Sequence, residues 1–314
     1  MNTLMKQGIL SKQGWKQGWR RRLAGVAMAA LGVLAMPGTV QAQVELRMSD
    51  AGGTSAFAER GAWSNGEAPR RGGQYVVSGR VLRSPTEPRE WSFAGDTLTL
   101  RDGGVFLTKS NSEPSRFTFP GGLVLDGGVV RNGNNAPSVP TTLAGLLRVT
   151  PAGGQINITN EAVDIAAAID LEGPLSYVNL ERYAQKRTSL LSGAVRFRGE
   201  GRLIIAQGVR PAHSPNVEQD RASVFTFVLG AGAEPRIAGG TKEHNELNLG
   251  GSFVFDRSQA PAGARSWKIV DAQTLTVRHL STFTVRDFSK RGSLWVSNDG
   301  AFEYDTTTGV LSRR

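Results

Sequence analysis

Apolar residues along this chain alternate with polar ones over three to six positions, then stop at Gly, Pro, Asn or Ser. Sustained helical periodicity is scarce, so the pattern predicts an all-β protein built of short strands. One unit recurs: an apolar residue, any residue and Gly, then after a short gap two apolar residues flanking a variable one. Phe93-Ala94-Gly95 leads to Leu98-Thr99-Leu100, Phe119-Pro120-Gly121 to Leu123-Val124-Leu125, and Leu143-Ala144-Gly145 to Leu147-Arg148-Val149. Leu171-Glu172-Gly173 with Leu175-Ser176-Tyr177 forms a fourth copy, and Phe197-Arg198-Gly199 with Leu203-Ile204-Ile205 a fifth. The starts lie 26, 24, 28 and 26 residues apart. Gly103-Gly104, Gly127-Gly128 and Gly153-Gly154 trail the first three copies.

A strand carrying Leu, Val and Phe on one face cannot bury that face alone. Stacking the next repeat on it, parallel strand on parallel strand, builds a continuous core. Glycine at a fixed place suits a corner that needs positive φ or close backbone approach. The expected fold is a right-handed parallel β-helix, a β-solenoid of roughly 24–28-residue coils. A leucine-rich repeat has a similar period, but its regular Leu-x-x-Leu-x-Leu-x-x-Asn run is missing. The alternative is a β-sandwich whose strands share a pattern by chance.

Two stretches depart from the alternation: Glu161–Ala168 and Val178–Leu191 are expected as short helices, the second a charged insertion, and Pro211–Arg221 as a polar excursion. From Ser252 the alternations lengthen and aromatics increase (Phe253/Phe255, Trp267/Ile269, Phe283/Val285, Phe302/Tyr304). An open solenoid end exposes apolar surface and strand edges, so this tail is expected to cap the stack. The division is therefore 1–42 signal peptide, 43–250 solenoid and 251–314 C-terminal β cap.

The coils, with Gly before Leu-x-Leu and a trailing Gly-Gly, resemble the autotransporter-associated β-strand repeats of bacterial secreted proteins. The tail is similar to C-terminal segments of such proteins in Gly251-Ser252-Phe253, Ser266-Trp267-Lys268-Ile269-Val270-Asp271, Trp295 and Thr308-Gly309-Val310-Leu311. The resemblance spans Phe93–Arg314. The Asn-x-Tyr-x-Gly segment common in those repeats is absent, and so is a translocator barrel. The resemblance implies a secreted or surface structural role and carries over no catalytic residues.

The first 42 residues alter the charge. Arg20-Arg21-Arg22 precedes an apolar run from Leu23 to Met36, Pro37-Gly38 breaks it, and Val40-Gln41-Ala42 offers a cleavage site. The segment reads as a secretory signal, with cleavage expected to leave Gln43 first. The arginines resemble a twin-arginine signal, with Trp19 in place of Ser or Thr. An uncleaved anchor is the alternative, and the apolar run is short for one. Six of the 37 basic residues lie here, so the remainder carries +4 rather than the whole chain's +10. A nucleic-acid partner thereby loses its main support. No later segment is apolar for the ~20 residues a membrane helix needs. The chain is expected in the periplasm, at the cell surface or outside the cell.

With no cysteine, disulfides, Cys-ligated metals and thiol catalysis are excluded. His213, His244 and His279 lie far apart without metal-ligand spacing. No Gly-x-Ser-x-Gly elbow occurs, and no Gly-rich loop is followed by Gly-Lys-Ser/Thr. No catalytic residue, cofactor or metal is assigned. Parallel β-helices can nevertheless carry acids stacked from coil to coil. Asp102 and Asp126 both precede Gly-Gly, but they sit two residues and one residue past their Leu-x-Leu units, out of register. Asn157-Ile158-Thr159 matches a glycosylation sequon. The basic feature is Arg70, Arg71, Arg80, Arg83 and Arg89 against Glu87 alone. Arginine pairs bidentately with carboxylate and sulfate, so Arg70, Arg71, Arg80 and Arg83 are candidate contacts to an acidic glycan or cell-surface polymer. The expected function is a structural or adhesive solenoid without catalysis. The alternatives are a polysaccharide lyase or hydrolase on a β-helix, and a polyanion-binding module.

Overall fold

Inward residues of successive coils fall in single columns. Tyr75, Leu98, Leu123, Leu147, Ile169, Val195, Phe225, Phe253 and Val285 are consecutive register partners in parallel strands. None of them is more than 3% exposed. Along this column the spacing in sequence runs from 22 residues (Leu147 to Ile169) to 32 (Phe253 to Val285). Spare residues leave at the corners, while the buried ladder stays in step at about 4.8 Å per coil. The computed structural model describes residues 42–49, 57–86, 90–109, 113–133, 140–159, 162–179, 188–206, 216–231, 234–240 and 245–314.

Among these residues the chain is all-β, with no helix, and winds as a β-solenoid of about six turns. Each full turn visits three faces. An opening part-turn holds β1 (Val44–Glu45), β2 (Gln74–Ser78) and β3 (Val81–Arg83). The first full turn is β4 (Glu90–Ser92), β5 (Thr97–Arg101) and β6 (Val105–Thr108). In the next two, one long strand bends across two faces: β7 (Ser115–Asp126) with β8 (Gly128–Asn132), and β9 (Thr141–Val149) with β10 (Gly154–Ile158). Then come β11 (Val163–Ile165), β12 (Ala168–Leu171) and β13 (Pro174–Asn179), followed by β14 (Ser189–Leu191), β15 (Val195–Phe197) and β16 (Arg202–Ala206). The last full turn is β17 (Asn216–Gln219), β18 (Val224–Val228) and β19 (Arg236–Gly239). β20 (Glu246–Leu249) and β21 (Ser252–Asp256) begin a further turn, which Val270 completes by a parallel bridge to Ile237.

The first three Leu-x-Leu copies stack as the sequence suggests, Leu98 on Leu123 on Leu147, but the fourth and fifth leave that ladder. Leu175-Ser176-Tyr177 does not stack on Leu147-Arg148-Val149. It pairs with Gly154-Gln155-Ile156 on the third face, and Leu203-Ile204-Ile205 continues that ladder. The place above Leu147 goes to Ile169-Asp170-Leu171 and then to Val195-Arg196-Phe197. The Phe-x-Gly units shift too. Phe119 faces Gly145, and β7 holds two extra residues between Phe119 and Leu123. Gly121 therefore lies in that irregularity, not above Gly145. The Gly-Gly pairs do stack: Gly79, Gly103, Gly127 and Gly153 share one corner with φ of 59°, 73°, 79° and 79°.

Glu161–Ala168 is not a helix: its described part holds β11, a corner and the start of β12. The open edges of β9 accept both strands, and that tertiary pairing overrides the local helix preference of an alanine run. Val178 lies in β13 and Leu191 in β14, so both ends of the other expected helix are strand. Residues 180–187 lie outside the described residues, and so do residues 1–41, all but the last of the expected signal peptide.

Both ends of the stack are closed by aromatic side chains. After β21 the chain forms β22 (Ser266–Lys268), the solenoid strands β23 (Thr276–His279) and β24 (Thr284–Val285), then β25 (Phe288–Arg291), β26 (Leu294–Ser297), β27 (Phe302–Asp305) and β28 (Val310–Arg313). β22 and β25–β28 make an antiparallel sheet in the order β22-β28-β27-β26-β25. Its Tyr304 ring lies 5.9 Å from Phe253 and 5.4 Å from Phe255, and Trp295 stands edge-on to Phe283 at 6.0 Å. At the other end Phe57 contacts Trp91, Phe93, Phe106, Phe117 and Phe119, and Trp63 is edge-on to Tyr75 at 4.9 Å. This second closure, formed by residues before β2, has no counterpart in the repeat pattern.

Candidate functional site

Strand alternation turns every second residue of the solenoid outward, so functional groups must project from these outer columns. On the first face the outward column runs Glu90, Arg116, Thr142, Asp164, Leu190, Glu218, Asn248, Arg278. On the second it passes Arg148, Asp170 and Arg196. Among the described strands no two carboxylates are register partners. The acids meet arginine instead. Asp170 accepts two 2.7 Å hydrogen bonds from Arg198, which also pairs with Glu172. The hydrogen bonding of Arg198 to Asp170 is the main cause raising the Arg198 pKa above its ordinary value. Glu45 pairs with Arg101 at 2.9 Å, and Glu246 with Arg278 at 3.3 Å. Such half-exposed pairs contribute little stability, but they occupy the carboxylates.

Asp102 and Asp126 do not form a pair. Asp102 adopts φ 51° at its corner and accepts a 2.8 Å hydrogen bond from Ser78 Oγ. Asp126 accepts one of 2.5 Å from Thr150 Oγ1. Each carboxylate is bonded to the neighbouring coil, which is a stacking role. The sequon asparagine, Asn157, is 6% exposed within β10, so a glycan has no access to its amide.

His213 and His244 lie outside the described residues. His279 continues an otherwise buried column through Leu191, Gln219 and Leu249. Its Nε2 is buried without a partner, and its ring stands 4.7 Å from Phe283. Burial first, and then Lys290, push its pKa down from 6.5 to about 4. The neutral ring is thus the native form. Between these values the unfolded chain takes up a proton that the folded chain refuses. Stability is complete above pH 6.5 and falls as the pH drops towards about 4. Allowing for partial exposure, the loss is about 2 kcal/mol. The melting midpoint is expected to fall between about pH 7 and pH 4.5, and His279→Leu, which matches Leu191 and Leu249, is expected to flatten that fall. Equal slopes in both proteins would exclude His279 as the cause.

The candidate arginines separate into two groups. Arg70 and Arg71 lie exposed in the turn before β2, with Arg70 3.1 Å from Glu67. Arg80 and Arg83 lie beyond β2, at the corner and on β3, and Arg89 is outside the described residues. The five residues of β2 put roughly 16 Å between the groups. Arg83 instead acquires neighbours that sequence order conceals. Register places Arg83 beside Leu107 and Leu107 beside Arg131. Lys109, two residues past Leu107, donates a 2.5 Å hydrogen bond to the Gly133 carbonyl. Burial, and after it the Arg83 guanidinium, lower the Lys109 pKa.

A separate cleft of about 280 Å³ lies between the turn before β19 and the cap, lined by Glu234, Arg236, Trp267 and Lys268 among others. Its charges are already matched, Arg236 by Glu234 at 3.5 Å and Lys268 by Asp271 at 3.1 Å. Among the described residues no group of three or more His, Asp or Glu is arranged to hold a metal ion. A scan against protein-family models, a search of curated proteins and a search of solved structures each return no match to this chain.

Proposed function

We propose that this protein is an exported structural β-solenoid that acts as a stiff, adhesive element at the cell surface or in the extracellular matrix. The same reading takes it as a passenger-like relative of the autotransporter-associated repeat proteins that its coils resemble. The observation that carries it is the division of labour between inside and outside. Unbroken apolar columns hold the coils together and aromatic clusters close both ends, which supports a rod with cohesion between neighbours. Outside, the carboxylates of adjacent coils are kept apart and meet arginine or hydroxyl partners. Glycoside hydrolysis ordinarily uses two cooperating carboxyl groups flanking one bond. The signal-like segment ending at Ala42 supports export, and the arginines around β2 and β3 favour an acidic polymer as the adhesive partner.

Retention on immobilised polygalacturonate, with a neutral glucan as control, tests the reading when combined with an assay for released sugar ends. Retention of the acidic polymer is expected at low salt and should weaken steeply towards physiological salt, where exposed charges are screened beyond about 8 Å. No sugar ends should appear. Released fragments would replace this reading with that of a glycan-cleaving β-helix. Absence of retention even at low salt would remove the adhesive role.

A further inference from the structure

The cleft between the turn before β19 and strand β22 has the make-up of a small-ligand site. Its volume is about 280 Å³, just under the ~300 Å³ at which pockets for drug-sized ligands begin. Pro235, Pro261, Ala264 and Trp267 form its apolar walls. Part of this wall is fixed in advance. Arg313 reaches from β28 over the Trp267 ring at 5.9 Å and donates hydrogen bonds to the carbonyls of Pro261 at 3.1 Å and Ala262 at 2.6 Å. Its backbone N–H holds the Arg265 carbonyl at 2.7 Å. A wall already ordered lowers the entropy lost on binding.

The polar groups of the cleft are charged, yet they cancel locally. Glu234 lies 3.5 Å from Arg236, longer than a charge-assisted hydrogen bond of about 2.7–2.9 Å, so both keep hydrogen-bonding capacity. The Glu234 side chain is 63% exposed. Lys268 donates one hydrogen bond, to Asp271 at 3.1 Å, and an ammonium has further donors. Strand β22 adds its backbone. It is the end strand of its sheet, and Arg265 and Ile269 bond to β28 through Arg313 and Gly309. By alternation the N–H and C=O groups of Ser266 and Lys268 turn to the opposite edge, on the side of the cleft.

This combination selects among ligands. An anion gains no unmatched cation here. The edge of β22 is three residues long, short for pairing with an extended peptide, since strands usually run to about five or six. A sugar ring suits the cleft in size, its hydroxyls both donate and accept, and its C–H surface is apolar. We propose that the cleft binds one neutral hexose unit of a glycan. Glu234, Arg236, Lys268 and the β22 edge take the hydroxyls, and the Pro235, Pro261 and Trp267 walls take the C–H surface. This contact is separate from the acidic-polymer contact proposed above and does not depend on it.

The test titrates the full chain with methyl α-glucoside, methyl β-galactoside and methyl α-mannoside, with galacturonate as the charged control, and follows the sugar protons by saturation-transfer NMR. At least one neutral glycoside is expected to bind in the millimolar range, the scale for so small a ligand. Its affinity should change less than about twofold between low and physiological salt, because an uncharged ligand has no attraction to screen. Retention on a neutral glucan through this cleft would share that salt independence, whereas retention through the arginines around β2 and β3 would not. Glu234→Gln is expected to weaken binding about tenfold by removing a charged acceptor. Ala264→Leu should abolish it by filling the cleft. Neither position is buried, so both melting midpoints should stay near the parent's. If no glycoside binds, or if galacturonate binds more tightly than all three, the neutral-sugar assignment fails, and the acidic-polymer reading stands on its separate arginines. Binding that survives in both variants would place the sugar elsewhere and remove the cleft.

Discussion

Replacing Phe253 by alanine is expected to cost about 3–5 kcal/mol, the usual range for deleting a fully buried aromatic ring. Phe253 is 0% exposed and sits where the solenoid meets its C-terminal sheet. Its ring lies 5.0 Å from Phe227, 5.0 Å from Phe283, 5.9 Å from Tyr304 and 6.0 Å from Phe225. The loss should also be local. In a stack of coils each unit depends mainly on its neighbours, so damage at this junction uncouples the cap before it reaches the opposite end. Hydrogen exchange should therefore quicken in β26–β28 and remain near the parent rate in β5–β9. Equal acceleration in both regions would show the chain melting as one unit and would remove the junction role.

The second large effect is expected at Gly145. Its φ is +91°, and a Cβ there would lie 2.3 Å from the Phe119 carbonyl oxygen and 2.7 Å from its carbon. The obstacle is the backbone of the coil beneath, which no side-chain rotation relieves. Valine would add conformational strain of about 1–3 kcal/mol and then force two coils apart. Gly145→Val should therefore cost more than about 3 kcal/mol, large even among core substitutions. Gly121 has a tighter version of the same obstacle, a Cβ lying 1.7 Å from Asp96 O. Asp126→Ala serves as the comparison. It removes the hydrogen bond from Thr150, at about 0.5–1.5 kcal/mol. Urea or thermal midpoints shifting equally for the glycine and aspartate variants would contradict the close-approach assignment.

Strand content, the stacked Gly-Gly corners and the aromatic C-terminal tail could be read from the sequence because each rests on local physics. A period of two sets which side chains share a face, and glycine tolerates positive φ without help from the rest of the chain. Register could be read in the same way only for the first three copies, where Leu98, Leu123 and Leu147 stack. Ile169-Asp170-Leu171 and Leu175-Ser176-Tyr177 present the same apolar-x-apolar pattern. Which of them lies above Leu147 depends on where the chain turns between them and on the coils already in place. The alanine-containing stretch around Ala162–Ala168 became strand for the same non-local reason, since β9 offered it unpaired backbone groups.

The candidate site follows this division. Arginine content marked the segment from Arg70 to Arg89, and residue type alone was enough to suggest an anionic partner. Sequence proximity, however, grouped Arg83 with Arg70 and Arg71, across the length of β2. The winding of the coils instead brings it to Lys109 and Arg131, 26 and 48 residues further on. Phe57 likewise reaches Phe117 and Phe119 only because two turns separate them in space rather than sixty positions in sequence. Sequence fixes what each short strand buries because alternation is a property of neighbouring residues. Tertiary structure decides which strands meet, because stacking energy is shared between residues about one coil apart.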